Sequence, residues 1–103
     1  MFVKLEFYVP LDDAESVKEA LFAVGAGKIG AYSHCAWQSE GQGQFKPLEN
    51  SQPYVGQKGS MTKLKEYKVE MVVEKALINK VVETLKAAHP YETVAFQVIE
   101  VMQ

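Results

Sequence analysis

His89-Pro90-Tyr91-Glu92 is the segment whose residue types most suggest chemistry. A neutral imidazole and a carboxylate three residues apart, held around a rigid proline, can serve as two metal ligands or as an acid/base pair. The same residues have a plainer use: Pro90 stops a helix, His89 meets the carbonyls at its end, and Tyr91 packs beneath the strand that follows. Two protein ligands seldom make a tight metal site, and spacing supplies no third one nearby. His34 and Cys35 are the other histidine and the lone cysteine. Ala31 to Gln38 reads as a strand, where adjacent side chains point to opposite faces and do not chelate one ion. Nothing local lowers the thiol pKa of Cys35, so it reads as a small core residue, and His34 as exposed or packed at a subunit contact. Trp37, Phe45 and Tyr54 flank a long polar segment and suit either stacking on a planar ligand or packing that segment onto a neighbour.

Elements must position these groups. Residues 2 to 9 alternate, with Val3, Leu5, Phe7 and Val9 on one face and Lys4 and Glu6 on the other, which predicts a half-buried strand ended by Pro10. Asp12 and Glu15 have capping-box spacing, Val17, Ala20, Leu21 and Val24 recur at helical spacing, and Gly25 is a natural stop. Residues 40 to 60 hold four of the seven glycines and almost no apolar periodicity, which predicts a long hairpin loop. Alternation resumes at Thr62, with Tyr67, Val69, Met71 and Val73 sharing a face. Leu77, Ile78, Val81, Val82 and Leu85 then define an amphipathic helix to about Ala88, and Val94, Phe96 and Val98 a last strand.

The order strand, helix, strand, strand, helix, strand predicts an α+β, ferredoxin-like βαββαβ sandwich over residues 1–103 as a single domain. Its antiparallel sheet carries strands one and three centrally and both helices on one face. The Pro10 to Asp13 turn, the 40–60 loop and His89 to Glu92 then gather at one end, which becomes the default site. The other sheet face, with Phe2, Tyr8 and Val72, is partly apolar, and leaving it uncovered predicts self-association. Gly25-Ala26-Gly27-Lys28-Ile29-Gly30 fits a dinucleotide fingerprint in spacing, but it follows a helix instead of opening one, so no helix N-terminus faces a pyrophosphate there.

Composition excludes other classes. The formal charge is −2 and the chain has 48% hydrophobic residues, as in one globular domain. All 11 basic residues are lysines, interleaved with carboxylates, so neither a guanidinium fork nor a positive stripe is available and nucleic acid is not an expected partner. No apolar run reaches membrane-spanning length, and the N-terminus lacks the features of a signal peptide. With a single cysteine, these features predict the cytoplasm.

Several spaced motifs, in order, resemble the inserted domain of the Nif-three-like (NGG-interacting factor three) family. They are Gly25-Ala26-Gly27-x-Ile29-Gly30-x-Tyr32-x-x-Cys35, Gly41-x-Gly43-x-Phe45-x-Pro47, Pro53-x-x-Gly56 and Ala88-His89-Pro90-Tyr91-Glu92-x-Val94-Ala95. The resemblance runs from Phe2 to about Val101 and implies a CutA/PII-like fold, here as a stand-alone protein. CutA and PII proteins assemble as trimers with ligand sites at subunit clefts, so the resemblance implies a homo-oligomer, a trimer before a dimer. It also puts residues 40–60 in the place of a partner-contacting loop, with Phe45, Pro47, Tyr54 and Lys58 as contact residues. Residues Lys86 to Glu92 take the place of a loop bordering a nucleotide cleft, where Lys46, Lys58 and Lys86 are the obvious cations. Full-length family members hold a two-metal centre in a flanking domain, which two histidines and an Asp12-Asp13 pair do not reproduce within one subunit.

Two functions follow as expectations. The first is a non-catalytic, oligomeric module that binds a small ligand, a metal ion or a partner protein, with no catalytic residues and His89, Glu92, Cys35 and His34 as candidate ligand or metal residues. The second is a metal-dependent hydrolase whose site those residues complete across subunits. The cofactor is left open by the sequence, and a divalent metal is compatible with both readings.

Overall fold

The computed structural model covers Met1 to Gln103, in the order β1 (Phe2–Pro10), α1 (Ala14–Ala23), β2 (Trp37–Phe45), β3 (Thr62–Glu74), α2 (Ile78–Ala88) and β4 (Phe96–Glu100). A single turn of 3-10 helix precedes each α-helix, at Leu11–Asp13 and Lys75–Leu77. The four strands form one antiparallel sheet in the order β2-β3-β1-β4, the expected ferredoxin-like arrangement with β1 and β3 in the centre. The alternation of β1 explains the core. Val3, Leu5, Phe7 and Val9 face the helices with Val69, Met71 and Val73 of β3, and Val17, Leu21, Val81 and Leu85 of the two helices close over them. Burying each such side chain contributes about 1.5–3 kcal/mol relative to exposure.

The Gly25 stop takes a Schellman form. Gly25 has φ +101, its N–H donates to the Phe22 carbonyl at 3.1 Å, and the Ala26 N–H donates to the Leu21 carbonyl at 3.1 Å. The expected capping box at the other end of α1 does not form. Asp12 lies inside the 3-10 turn, the N-cap is Asp13, and neither aspartate caps through its side chain. Ser16 Oγ instead donates to the Asp13 carbonyl at 3.1 Å.

The second strand is displaced from its expected place. Ala31 to Ala36 is irregular, joined to the preceding turn by an Ile29–Tyr32 bridge, and pairing with β3 begins at Trp37 opposite Glu70 and continues to Phe45 opposite Thr62. The hairpin loop is therefore Lys46 to Met61, not 40–60. The strand Trp-Gln-Ser-Glu-Gly-Gln-Gly-Gln-Phe is an edge strand with no buried residue, so nothing requires apolar alternation in it.

The open sheet face is partly apolar, as expected, with the Lys4 and Glu6 charges of β1 on it. Phe2, Tyr8 and Val72 are half-buried there, but its middle is charged: Lys4 pairs with Glu6 at 3.2 Å and with Glu70, and Lys68 approaches Glu6 at 3.6 Å. Glu6 is 8% exposed beneath these lysines, so this face is an ion-pair network with apolar flanks. Hydrogen bonding to Lys4 holds the Glu70 carboxyl below the usual carboxylate value, and the same contacts push the Lys4 ammonium up. No helix is long and apolar enough to cross a membrane.

Candidate functional site

The expected convergence at one end of the sheet is present. Glu92 Oε2 accepts the Gln52 N–H at 2.6 Å, linking the segment after α2 to the hairpin loop, and the Tyr54 hydroxyl lies 3.5 Å from Asp13 Oδ1 at the start of α1. Pro90 sets the geometry, because the residue before a proline avoids helical backbone. His89 accordingly turns to ψ 138 while its N–H still donates to the Leu85 carbonyl at 2.9 Å. That turn points the imidazole inward, toward β1.

His89 is 5% exposed and both its ring nitrogens are engaged. Nε2 lies 2.7 Å from the Tyr8 carbonyl, and the Tyr91 N–H donates to Nδ1 at 3.1 Å, which fixes the tautomer with the proton on Nε2. The partner is therefore a β1 carbonyl and not the helix end. β4 stops pairing with β1 at Phe7, and the ring takes the next carbonyl along the strand. Burial holds the His89 pKa below its ordinary value, outweighing the opposing pull of the Tyr8 carbonyl, Glu66 and Asp13.

Tyr91 carries this geometry outward. Its ring sits 4.9 Å from the His89 ring, 5.9 Å from Phe45 and 6.2 Å from Tyr54, and its hydroxyl donates to Glu66 Oε2 at 2.9 Å. Burial first, and then the bond to Glu66, raise the phenol pKa, so Tyr91 remains a protonated donor. Glu66 lies on β3 opposite Gly41, and its other oxygen, Oε1, lies against Gly43 where any Cβ would collide with it. A side chain at 43 would therefore displace the carboxylate.

These groups line a cavity of about 590 Å³ between β2, the Lys46–Met61 loop and the segment after α2. Tyr8, Gly43 and Glu66 lie in its wall beside Phe45, Tyr54 and Tyr91. Of the expected ligand residues, Glu92 is in the lining but His89 stands behind Tyr91. His34 and Cys35 lie elsewhere, in the irregular segment before β2 and not on a strand. His34 adopts φ 59, packs against Phe22 at 4.8 Å and sits 3.8 Å from Glu19, while the Cys35 N–H donates to the Gly27 carbonyl at 2.8 Å. No three His, Cys, Asp or Glu side chains of the chain converge in a way that could hold a metal ion. Among the expected loop contacts, Phe45 is half-buried against Tyr91, Pro47 is buried with its carbonyl accepting the Gly59 N–H at 2.8 Å, and Tyr54 and Lys58 are exposed. Lys86 lies 5.6 Å over the Phe96 ring. Sequence reasoning did not single out Glu66, and it named Tyr8 only as a residue of the open sheet face. The available signal was the Gly-x-Gly of β2, which in a hairpin leaves room for a side chain on the neighbouring strand.

No family model matches the chain. Curated relatives do: a GTP cyclohydrolase 1 type 2 homolog of Bacillus subtilis is 43% identical over 97% of this chain and 27% of its own length, and one from Mycobacterium leprae is 42% identical over 92% and 25%. The crystal structure of a Bacillus cereus protein related to NIF3 superposes with a TM-score of 0.84 at 37% identity, over 99% of this chain and 26% of that one. The chain belongs with the CutA/PII-like domain of the Nif-three-like proteins. It spans about a quarter of the length of the curated relatives it matches. The domain also shares its fold with CutA of Archaeoglobus fulgidus, at a TM-score of 0.70 and 18% identity over 100% of this chain and 86% of that one. GlnK of B. subtilis shares the fold at a TM-score of 0.58 and 20% identity, over 95% and 84%.

Proposed function

We propose that this chain is a non-catalytic, oligomeric CutA/PII-like module of the cytoplasm that binds a small ligand in the cavity between β2, the hairpin loop and Tyr91. The cavity carries the reading: a concavity of about 590 Å³, walled by aromatic rings and holding a few convergent polar groups, has the character of a small-molecule site. A partner protein or a divalent metal is the other occupant of the same end. The metal ranks behind, because His89 uses both nitrogens internally and Glu92 is taken by Gln52.

Self-association is supported by the edge of the sheet more than by its face. β2 is nine residues long, exposed, and carries neither Pro nor Lys, the usual blocks to edge pairing, and Trp37 at its start is 70% exposed. A trimer follows from the CutA/PII resemblance, with a dimer as the alternative. The names of the curated relatives, which contain the word cyclohydrolase, favour a second reading as a hydrolase, and in that reading a metal-dependent site is completed across subunits by His34, Cys35, His89 and Glu92. Native mass spectrometry of the protein purified from its own cells separates them. The module reading predicts an oligomer carrying a small organic molecule that denaturation releases. A monomer, or an oligomer retaining stoichiometric zinc or iron and no organic ligand, contradicts it.

A further inference from the structure

We infer that the cavity selects a small, flat, N–H-bearing molecule that is neutral or cationic, and that it discriminates against phosphorylated and carboxylate-bearing ligands. The inference rests on the cavity being a binding site and names what it binds. Three features carry it. Phe45, Tyr54 and Tyr91 supply rings against which a planar molecule stacks. Glu66, half-buried, gives one carboxylate oxygen to the Tyr91 hydroxyl, whereas Oε1 lies over Gly43 and receives no hydrogen bond from the chain. A carboxylate oxygen left in that position is an acceptor for an amine, amidine or ring N–H of a ligand.

The third feature is the local charge. Lys46 is the one cation in the lining, against Glu66 and Glu92, with Asp13 behind Tyr54. Lys68, the next lysine along β3, is turned to Glu6. The nearby end of α2 is its C-terminus, which presents carbonyls, and the first turn of α1 and the turn before it hold Asp12, Asp13 and Glu15. Phosphate recognition draws on guanidinium forks, clustered lysines or an unopposed helix N-terminus; one lysine and no arginine line the cavity, and the helix start at this end, that of α1, is crowded by its own carboxylates. The site thus differs in charge from a nucleotide phosphate cleft placed at the same end of the fold.

The test is amide-resolved NMR titration of the intact chain with benzamidine, benzamide and benzoate, which share a shape and differ in charge, and with adenosine against AMP. Benzamidine and benzamide should saturably shift the amides of Gly43, Phe45 and Tyr91, with benzoate weaker than benzamidine by about tenfold or more and AMP weaker than adenosine. Glu66→Gln should weaken benzamidine about tenfold and benzamide little. Tyr91→Phe, which frees Glu66 Oε2 and keeps the ring, should retain benzamidine binding and keeps the question answerable if Glu66→Gln does not fold. Tighter binding of benzoate or AMP at the same amides overturns the ligand class and leaves the site standing. Shifts confined to other residues, or none with any probe in the folded protein, overturn the site itself.

Discussion

Replacing His89 with alanine tests whether this residue holds the structure or waits for a ligand. The imidazole donates from Nε2 to the Tyr8 carbonyl at 2.7 Å and accepts the Tyr91 N–H at 3.1 Å, inside a site where it is 5% exposed. Each lost bond costs about 0.5–1.5 kcal/mol net, and a partner left without water costs about 1–3 kcal/mol. Tyr8 and Tyr91 are only half-buried, so water recovers part of this, and a total of roughly 3 kcal/mol is expected, including the void left by the ring. In a domain of this size each kcal/mol moves Tm by about 4–8 °C, so His89→Ala should lower it by roughly 12–24 °C. Titration adds a second signature. Burial depresses the folded pKa of His89 below 6.5, so the unfolded chain binds the proton first as pH falls. The stabilisation is full above 6.5 and is lost progressively as pH drops through the lower folded value. Glu70 does not confuse this window, because its depressed pKa places its own loss below the ordinary carboxylate value of 4.5. Thermal melts of parent and variant from pH 8 to pH 5 should converge toward the acid end. A loss under about 1 kcal/mol with parallel pH curves would refute the assignment and return His89 to the list of available ligands.

Three further outcomes follow from the same contacts. Gly27→Ala should destabilise by about 2 kcal/mol or more, because Gly27 has φ +74 and its added Cβ would lie 2.8 Å from the Cys35 carbonyl; urea unfolding measures it. Glu92→Ala should cost only about 0.5–1 kcal/mol, since its bond to Gln52 is exposed, but should speed hydrogen exchange at the Gln52 amide. Phe7→Ala, at a fully buried position on the central strand β1, should cost about 3–5 kcal/mol in the same unfolding assay.

The core was legible in the sequence because its signals are local and redundant. Val3, Leu5, Phe7 and Val9 alternate, Val81 and Leu85 repeat at helical spacing, and Gly25 and Pro90 mark real ends, so strand order and the gathering of loops at one end followed. β2 was not legible, because an edge strand exposed on both faces has no pattern to read, and its polar residues and glycines resemble a loop. The error moved His34 and Cys35 onto a strand they do not occupy. At the candidate site, the motif His89 to Glu92 was visible but its roles were not. Whether an imidazole faces solvent or a strand carbonyl depends on where β4 stops pairing, which is tertiary information. Glu66 was hidden among the alternating charges of β3, since only the hairpin register brings it beside Gly43.

The central claim is that the functional site is the cavity at Glu66 and Tyr91 and that it holds an organic ligand and not a metal. A crystal structure of the protein isolated from its own cells, soaked in zinc before data collection, tests it most directly through one pair of difference and anomalous maps. The account predicts flat density between Tyr54, Tyr91 and Glu66 and no anomalous peak coordinated by three or more protein ligands. An empty cavity, with zinc held by His34, Cys35, His89 or Glu92 contributed from neighbouring subunits, would contradict it and establish the metal centre instead.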